Sequence, residues 1–460
     1  MALVKNLRHS YQIEDALTSL DGRNRHKLLA LTPYFSEVAL NKERIFVEIE
    51  YLKSLSLHKV IRPLKKSELS FLKNIIESFS GDGYQSLREI ETTTNHDMQA
   101  IIIYIRQLCE EVSLKDLSPM IHFGLTSEDV NNLAYARLLK KSMDDIFLPE
   151  LNSLLEMLKK ISHQYKDVGM LGKTHGQAAL PTTFGKEIAV YASRLSKEID
   201  SLTPVKLHGK LNGNVGNFNA HTLVFPKINW VSFSKSFVSS LGLVPDLLTT
   251  QIEPYDSFIQ LFQYFSRINN ILSGLCKDIW MYAMVGYCTQ RIVAHEDGST
   301  ALPHKVNPIY FEGSEGGFGI ANALFSFYAE KLSYSRLQRD LSDATVRRSF
   351  AIAFGYSLLS YQSIQIGLNR IIPDEERMAE DLNNHYEILS EAVQSELKVL
   401  GIRDAYQKAK GFFRGRKVTK KSYGEFINEL PIPKNKKLKL INLTPNDYKG
   451  VASKLVSHEI

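Results

Sequence analysis

Six short islands of polar residues hold the side chains able to do chemistry in this chain. They are Thr94-Asn95-His96-Asp97, His122 through Asn132, Lys173-Thr174-His175-Gly176-Gln177, Gln251-Ile252-Glu253-Pro254, Gly298 through Pro308, and Ser335 through Asp340 with Arg347-Arg348 just beyond. These residue types suit proton transfer by histidine, hydroxyl and carboxyl groups, and the gripping of carboxylate or phosphate by arginine forks. Each island also has a plainer reading. Thr126-Ser127-Glu128-Asp129 is a good helix start, since a hydroxyl can cap and acidic residues suit the first turn. Asn131-Asn132 just after it is harder to explain by helix propensity. A lone histidine such as His175 is more often structural than catalytic. The arginines could be a solvated helix face, and Gly298 through Pro308 a surface loop. No GxxxxGK[ST], HExxH or GxSxG pattern is present.

The elements that must position these islands are mostly helical. Leu261, Phe265, Ile268, Leu272, Leu275 and Ile279 are spaced as the apolar seam of a helix packed along other helices. Phe147, Leu151, Leu154, Leu158 and Ile161 form a second such stripe. Strand-like alternation is scarce. Segment 200–230, rich in Gly, Asn and Pro, reads as a structured turn or hairpin region. Segment 286–308 is irregular, and a loop of that length inside a helical domain tends to be functional. These shifts suggest a split into 1–116, 117–369 and 370–460, close to the roughly three domains that 460 residues imply.

Composition narrows the class. Apolar residues at 44% and charged residues at 23% describe a globular chain able to bury a large core. Three separated cysteines argue against a disulfide framework and against a CxxC zinc site. No apolar run approaches the ~18 residues of a membrane helix. The amino-terminal sequence lacks a hydrophobic signal core, so a cytoplasmic protein with no membrane partner is expected. The net charge of +6 is mild, with lysines and arginines concentrated at 408–439. Such runs are usually a solvated face; they could also concentrate anionic nucleotides. No nucleic-acid partner is expected.

Taken together and in order, the islands resemble the adenylosuccinate lyases of the fumarase/aspartase superfamily. The resemblance runs from Asp21-Gly22-Arg23 through TTNHD, TSEDVNN, THGQ, NGNVGNFNAH, TTQIEP, PHKVNP and SRLQRDLSD. It implies an all-α fold of three helical domains, whose central long helices complete a bundle in a homotetramer with active sites shared between copies. It implies β-elimination of fumarate from an N-succinyl substrate, with no metal and no organic cofactor. By position, His175 matches the general acid and Glu312 the carboxylate that orients it. Lys305 and Asn307 match residues that hold the succinyl carboxylates. Thr94, Asn95, His96, Asp97, Thr126, Ser127, Gln251 and Thr345 match substrate-contact positions. Arg23, Arg336 and Arg348 are candidates for phosphate or carboxylate.

The chain departs from that pattern at its expected base. The family loop reads GSSxMPxKxN, with the second serine as base, whereas this chain reads Gly298-Ser299-Thr300-Ala301-Leu302. Thr300 keeps the hydroxyl but has a stiffer side chain; Ser299 could serve only if the loop shifted by one residue. Asn24, Lys173, Tyr255 and Ala344 also replace the expected Tyr, Arg, His and Ser. Three readings follow: elimination from succinyl-AMP and the succinyl-carboxamide imidazole ribonucleotide, a paralogous lyase for another aspartate adduct, or a binding protein that kept the fold. His175, Lys305, Asn307 and Glu312 all being present argues against the last.

Overall fold

The structure, a computed structural model, describes residues 15–296 and 298–459. In chain order, the elements that bear on function are α1 (Glu37–Leu57), α2 (Asp97–Glu110), α3 (Ser127–Ser142), α4 (Leu148–Gln164), β1 (Gly169–Thr174), β2 (Gln177–Thr183) and α5 (Phe184–Leu202). They continue with β3 (His208–Gly209), β4 (Val244–Pro245), α6 (Asp256–Met284), β5 (Cys288–Gln290), α7 (Ile309–Leu332), α8 (Ser342–Arg348), α9 (Phe350–Arg370) and β6 (Ile371–Pro373). The fold is helical, as expected, and the strands are short pairs.

The stripe from Leu261 to Ile279 lies along α6, and every one of its six side chains is at most 1% exposed. At 29 residues, α6 extends about 44 Å. The second stripe is buried on α4 and the residue before it. Contacts divide the chain into two compact units. One comprises the described parts of Met1–Glu150, Asp200–Asn269 and Gly317–Leu359; the other comprises those of Leu151–Ile199, Asn270–Gly316 and Ser360–Ile460.

In the first unit, the core is dense with aromatic rings. Phe147, Phe262, Phe265, Phe325 and Phe354 are fully buried, and Phe265 meets Phe354 edge-on with centroids 4.9 Å apart. Burying one such ring contributes about 1.5–3 kcal/mol, and each edge-on pair adds about 0.5–1.5 kcal/mol. In the second unit, Leu154, Leu158, Phe184, Leu195, Leu275 and Ile279 are buried. A further cluster there joins Leu389, Val393, Leu397, Phe413, Tyr423 and Ile427.

Segment 200–230 differs from expectation. Among the described residues its only strand is β3, which pairs parallel with β4, so it is not a hairpin. The hairpin is β1–β2, antiparallel, with a turn of two residues between Thr174 and Gln177. Its strands carry Gly, Lys and Pro, so their alternation is too weak to read from sequence.

Candidate active site

In the first unit, the second polar island opens α3. Thr126 and Asp129 form a reciprocal capping box, and the Thr126 amide donates to Asp129 Oδ2 at 2.8 Å. This settles the cap as real and leaves Ser127 in the first turn, where the helix dipole favours negative charge. The rest of the island is structural. Asp129, fully buried, accepts from the amides of Asn212 and Gly213 and lies 3.0 Å from Lys210 Nζ. Asn132 accepts from the Lys210 amide and donates to its carbonyl. The run TSEDVNN is thereby bolted to KLNG through a buried ion pair and four backbone contacts.

Glu128 is the hub of a second buried network. Arg347 donates to both of its oxygens at 2.9 Å, Arg339 reaches it at 2.9 Å, and Asn131 donates at 2.8 Å. Burial would push this carboxyl up, but Arg347, then Arg339 and Asn131, outweigh it and hold the group down at about 2. Asp343 lies 3.1 Å from Arg347 and accepts from the Tyr255 hydroxyl at 2.8 Å. Tyr255 is itself buried. The residue that replaces the family's histidine thus has a specific structural partner.

Arg44 links this network to the first island. It donates to Asn131 Oδ1 at 2.8 Å and to Asp97 Oδ2 at 2.9 Å, and Arg348 meets the same Asp97 oxygen at 3.1 Å. Burial opposes ionisation of Asp97, yet Arg44 and the Met98 amide keep its carboxyl below the usual range. His96 caps α2 by accepting the Gln99 amide on Nδ1 at 3.3 Å, which places its proton on Nε2. Asn95 sits left-handed at φ 52°.

Asn95, His96, Asp97, Ser127, Thr345 and Arg348 line a cavity of about 360 Å³, together with Arg44, Arg339 and Arg347. The structure therefore brings these six expected residues together. Thr94 sits just outside, its hydroxyl accepting the His96 amide. Gln251 donates to the Asn214 carbonyl at 3.1 Å and accepts from Arg339 at 3.4 Å. Arg336 is exposed and faces Asp340, and Arg23 is exposed. Glu128, Arg339, Arg347 and Arg44 were not singled out individually from sequence. The paired asparagines were the one signal that α3 carries a buried polar face.

In the second unit, His175 and Gly176 are the two turn residues of β1–β2, at φ 53° and 73°. Left-handed values at both central positions are those of a type I′ turn, where glycine is at ease and histidine is tolerated. His175 is exposed. Lys173 reaches Asp381 at 3.4 Å, and the Tyr287 hydroxyl donates to the same carboxylate. Gly172 through Thr174 and Gly176 border a cavity of about 1000 Å³, with Lys186, Asp278 and Lys449 on its walls.

The irregular loop expected at 286–308 contains β5, paired to β6, and its described residues beyond β5 form no helix or strand. Ser299 Oγ accepts from the Ala301 and Leu302 amides at 3.3 and 3.1 Å. Asn307 Nδ2 ties the loop to itself by donating to the Gly298 carbonyl at 3.0 Å. Thr300 and Lys305 are exposed. Glu312 opens α7 and accepts from Trp280 Nε1 at 2.9 Å. Neither Glu312 nor any other described carboxylate is hydrogen-bonded to His175.

Comparison with known proteins covers almost the whole chain. A family described as lyase matches residues 35–319, and one described as the adenylosuccinate lyase C-terminal region matches residues 335–449. The adenylosuccinate lyase of Buchnera aphidicola subsp. Schizaphis graminum is 40% identical over 445 residues, covering 96% of this chain and 98% of the relative. That of Legionella pneumophila strain Corby is 40% identical with the same coverage, and that of Escherichia coli K12 is 39% identical, again with 96% and 98%. Among solved structures, a fumarate lyase from Mesorhizobium sp. BNC1 superposes with a TM-score of 0.75 at 17% identity, covering 93% of this chain and 96% of that one. The 3-carboxy-cis,cis-muconate lactonizing enzyme of Pseudomonas putida gives 0.75 at 17%, covering 94% and 96%. At that identity the likeness concerns the fold.

Proposed function

This chain belongs to the adenylosuccinate lyase family and is a lyase, and on that premise we propose the reaction and the residues that carry it. The substrate is an N-succinyl nucleotide, succinyl-AMP or the succinyl-carboxamide imidazole ribonucleotide, and the products are fumarate and the free amine. The observation that carries this reading is identity of 39–40% across 96% of the chain to adenylosuccinate lyases. The relatives do not favour a lyase for another adduct or a non-catalytic protein.

A base removes a proton from the carbon beside the far carboxylate, and the Cα–N bond then breaks. We assign the base to the side-chain oxygen of Thr300, which gives its hydroxyl proton to solvent and, as the alkoxide, takes up the proton from carbon. Ser299 is the poorer candidate, because its Oγ is occupied with the Ala301 and Leu302 amides. Negative charge builds on the carboxylate during proton loss, and Lys305 and Asn307 stabilise it. His175 protonates the leaving nitrogen, and Glu312 of another copy orients it. The arginine-lined cavity at Asp97, Ser127 and Arg348 receives the anionic nucleotide. An Nε2 proton on His96 and the amino end of α3 supply further donors.

The protein is a cytoplasmic homotetramer with active sites shared between copies, built of an N-terminal helical domain, 1–116, a central long-helix domain, 117–369, and a C-terminal helical domain, 370–460. No helix among the described residues is long and apolar enough to cross a membrane. The test is direct. Purified protein is mixed with succinyl-AMP and fumarate is followed; turnover of about 1 per second or more is expected. Absence of turnover in both the native protein and Thr300→Ser would overturn the assignment.

A further inference from the structure

A cluster outside the cavity has no part in this chemistry. His208 and Asp246 are fixed by the parallel β3–β4 pair, in which the Asp246 amide donates to the Gly209 carbonyl at 2.8 Å. His208 is held again where its amide donates to Ser257 Oγ at 3.1 Å. Across from them Glu253 projects from the segment that carries Gln251, with Oε2 accepting the Tyr255 amide at 2.9 Å. His208 Nδ1 lies 3.2 Å from Asp246 Oδ2, and the Glu253 carboxyl faces both. One donor atom from each of the three residues falls within 4.8 Å of the other two.

Charge makes the arrangement unusual. Glu253 is only 2% exposed, and among the described residues no lysine or arginine pairs with it. Two carboxylates this close repel one another unless a cation or a shared proton joins them. An imidazole nitrogen facing the same point adds a third donor, of the type that transition metals prefer.

We propose that His208, Asp246 and Glu253 form a binding site for one divalent transition cation of the zinc class. With bonds of about 2.0–2.2 Å, ligand atoms around a tetrahedral ion lie roughly 3.3 Å apart, close to the 3.2 Å between His208 and Asp246. Glu253 forms the floor. The side chains of His208 and Asp246 are 37% and 31% exposed, which gives the ion a path in and leaves a position for water. The nitrogen-and-two-carboxylate set favours zinc, cobalt or manganese over magnesium or calcium. His208 binds through Nδ1 and carries its proton on Nε2. The ion fastens β3–β4 to the strand-free segment bearing Gln251, so its role is to brace that segment, with no step of the elimination passing through it.

The test uses the full chain without a histidine tag, titrated with cobalt chloride and followed by visible absorption, then with zinc chloride in equilibrium dialysis. The expected result is one ion per chain and the strong absorption of a tetrahedral cobalt site. Asp246→Asn and His208→Ala should each weaken binding by at least about tenfold. Both sit at partly exposed positions, so their folding is checked by circular dichroism without metal. Binding absent up to about 1 mM, or unchanged in both variants, would overturn the site and leave a shared proton as the content of the cluster.

Discussion

His175 occupies a turn position whose backbone demand is separable from its chemistry. At φ 53° the residue must accept a left-handed conformation, which asparagine does more readily than most. His175→Asn should therefore keep the hairpin and the melting temperature while removing the acid. Turnover should fall by about 10²–10⁴-fold, read as fumarate release beside a thermal melt. Near-normal turnover would remove His175 from the mechanism. Thr300→Ser tests the base in the other direction. Thr300 is exposed, so stability should stay within about 0.5 kcal/mol. The freer serine rotamer should raise kcat, and a fall would show that threonine suits this site.

Glu128 shows how differently a carboxylate behaves inside the fold. It pairs with the buried Arg347 and the partly buried Arg339 and accepts from Asn131, so a neutral replacement leaves Asp343 as the arginines' remaining carboxylate among the described residues. Breaking a buried pair by removing one partner costs about 3–5 kcal/mol. Glu128→Gln should show a loss of that size in chemical denaturation, and a loss below about 1 kcal/mol would mean the network relaxes. The sequence contained Glu128 only as part of a helix start. Its first-turn position was legible because capping is local; its arginine partners lie 211 and 219 residues away, and no local pattern announces them. Tyr255 was legible as a departure, and its hydroxyl on Asp343 supplies the structural reason.

Elements carry the next layer, and the loop before α3 depends on one buried histidine. The Tyr51 hydroxyl donates to the Phe123 carbonyl at 2.9 Å, so it must accept from His221 Nε2 at 3.1 Å. That fixes the proton on Nε2 and leaves Nδ1 bare in the interior. Gly124 covers the ring at φ 68°, and a Cβ there would lie 2.6 Å from it. Burial pushes the His221 imidazole down to about 4, and Asp129 only partly offsets this. Above pH 6.5 the ring is neutral in both states, and its contribution is complete. As pH falls from about 6.5 toward 4 the unfolded chain takes up a proton that the native state refuses, and stability drops by on the order of 3 kcal/mol. His221→Gln retains a donor for Tyr51 without titrating. The difference in unfolding free energy between the two proteins should shrink across that pH range; a constant difference would show that His221 does not titrate there.

The same scale explains what could be read of the fold. The seam on α6 was visible because long buried helices repeat their apolar spacing over many turns. The β1–β2 hairpin was not, because its strands are six and seven residues long and its two-residue turn holds His175 in place of the usual asparagine. The β3–β4 pair joins segments 36 residues apart through two residues each, too little to leave an alternating pattern.

For the whole molecule, the placement of the candidate residues bears on assembly. Ser127, Asp97 and Arg348 line a cavity within one unit, while His175, Thr300 and Lys305 belong to the other. Glu312 is bonded to Trp280, and nothing in a single described chain orients His175. Large apolar side chains are exposed as well: Leu248 at 98%, Leu337 at 95% and Met284 at 65%. Leu248 and Leu337 border one cavity and Met284 another, and each would gain about 1.5–3 kcal/mol if fully covered. The proposed homotetramer brings a second copy's carboxylate to His175. Activity per chain should then fall on dilution, in step with dissociation seen by sedimentation. Mixing His175→Asn with Glu312→Gln should restore part of the turnover that each lacks alone, because some sites in the mixed assembly would contain both native residues. A monomer with full activity, or mixed variants that stay as inactive as the parents after verified exchange of subunits, would remove the shared site.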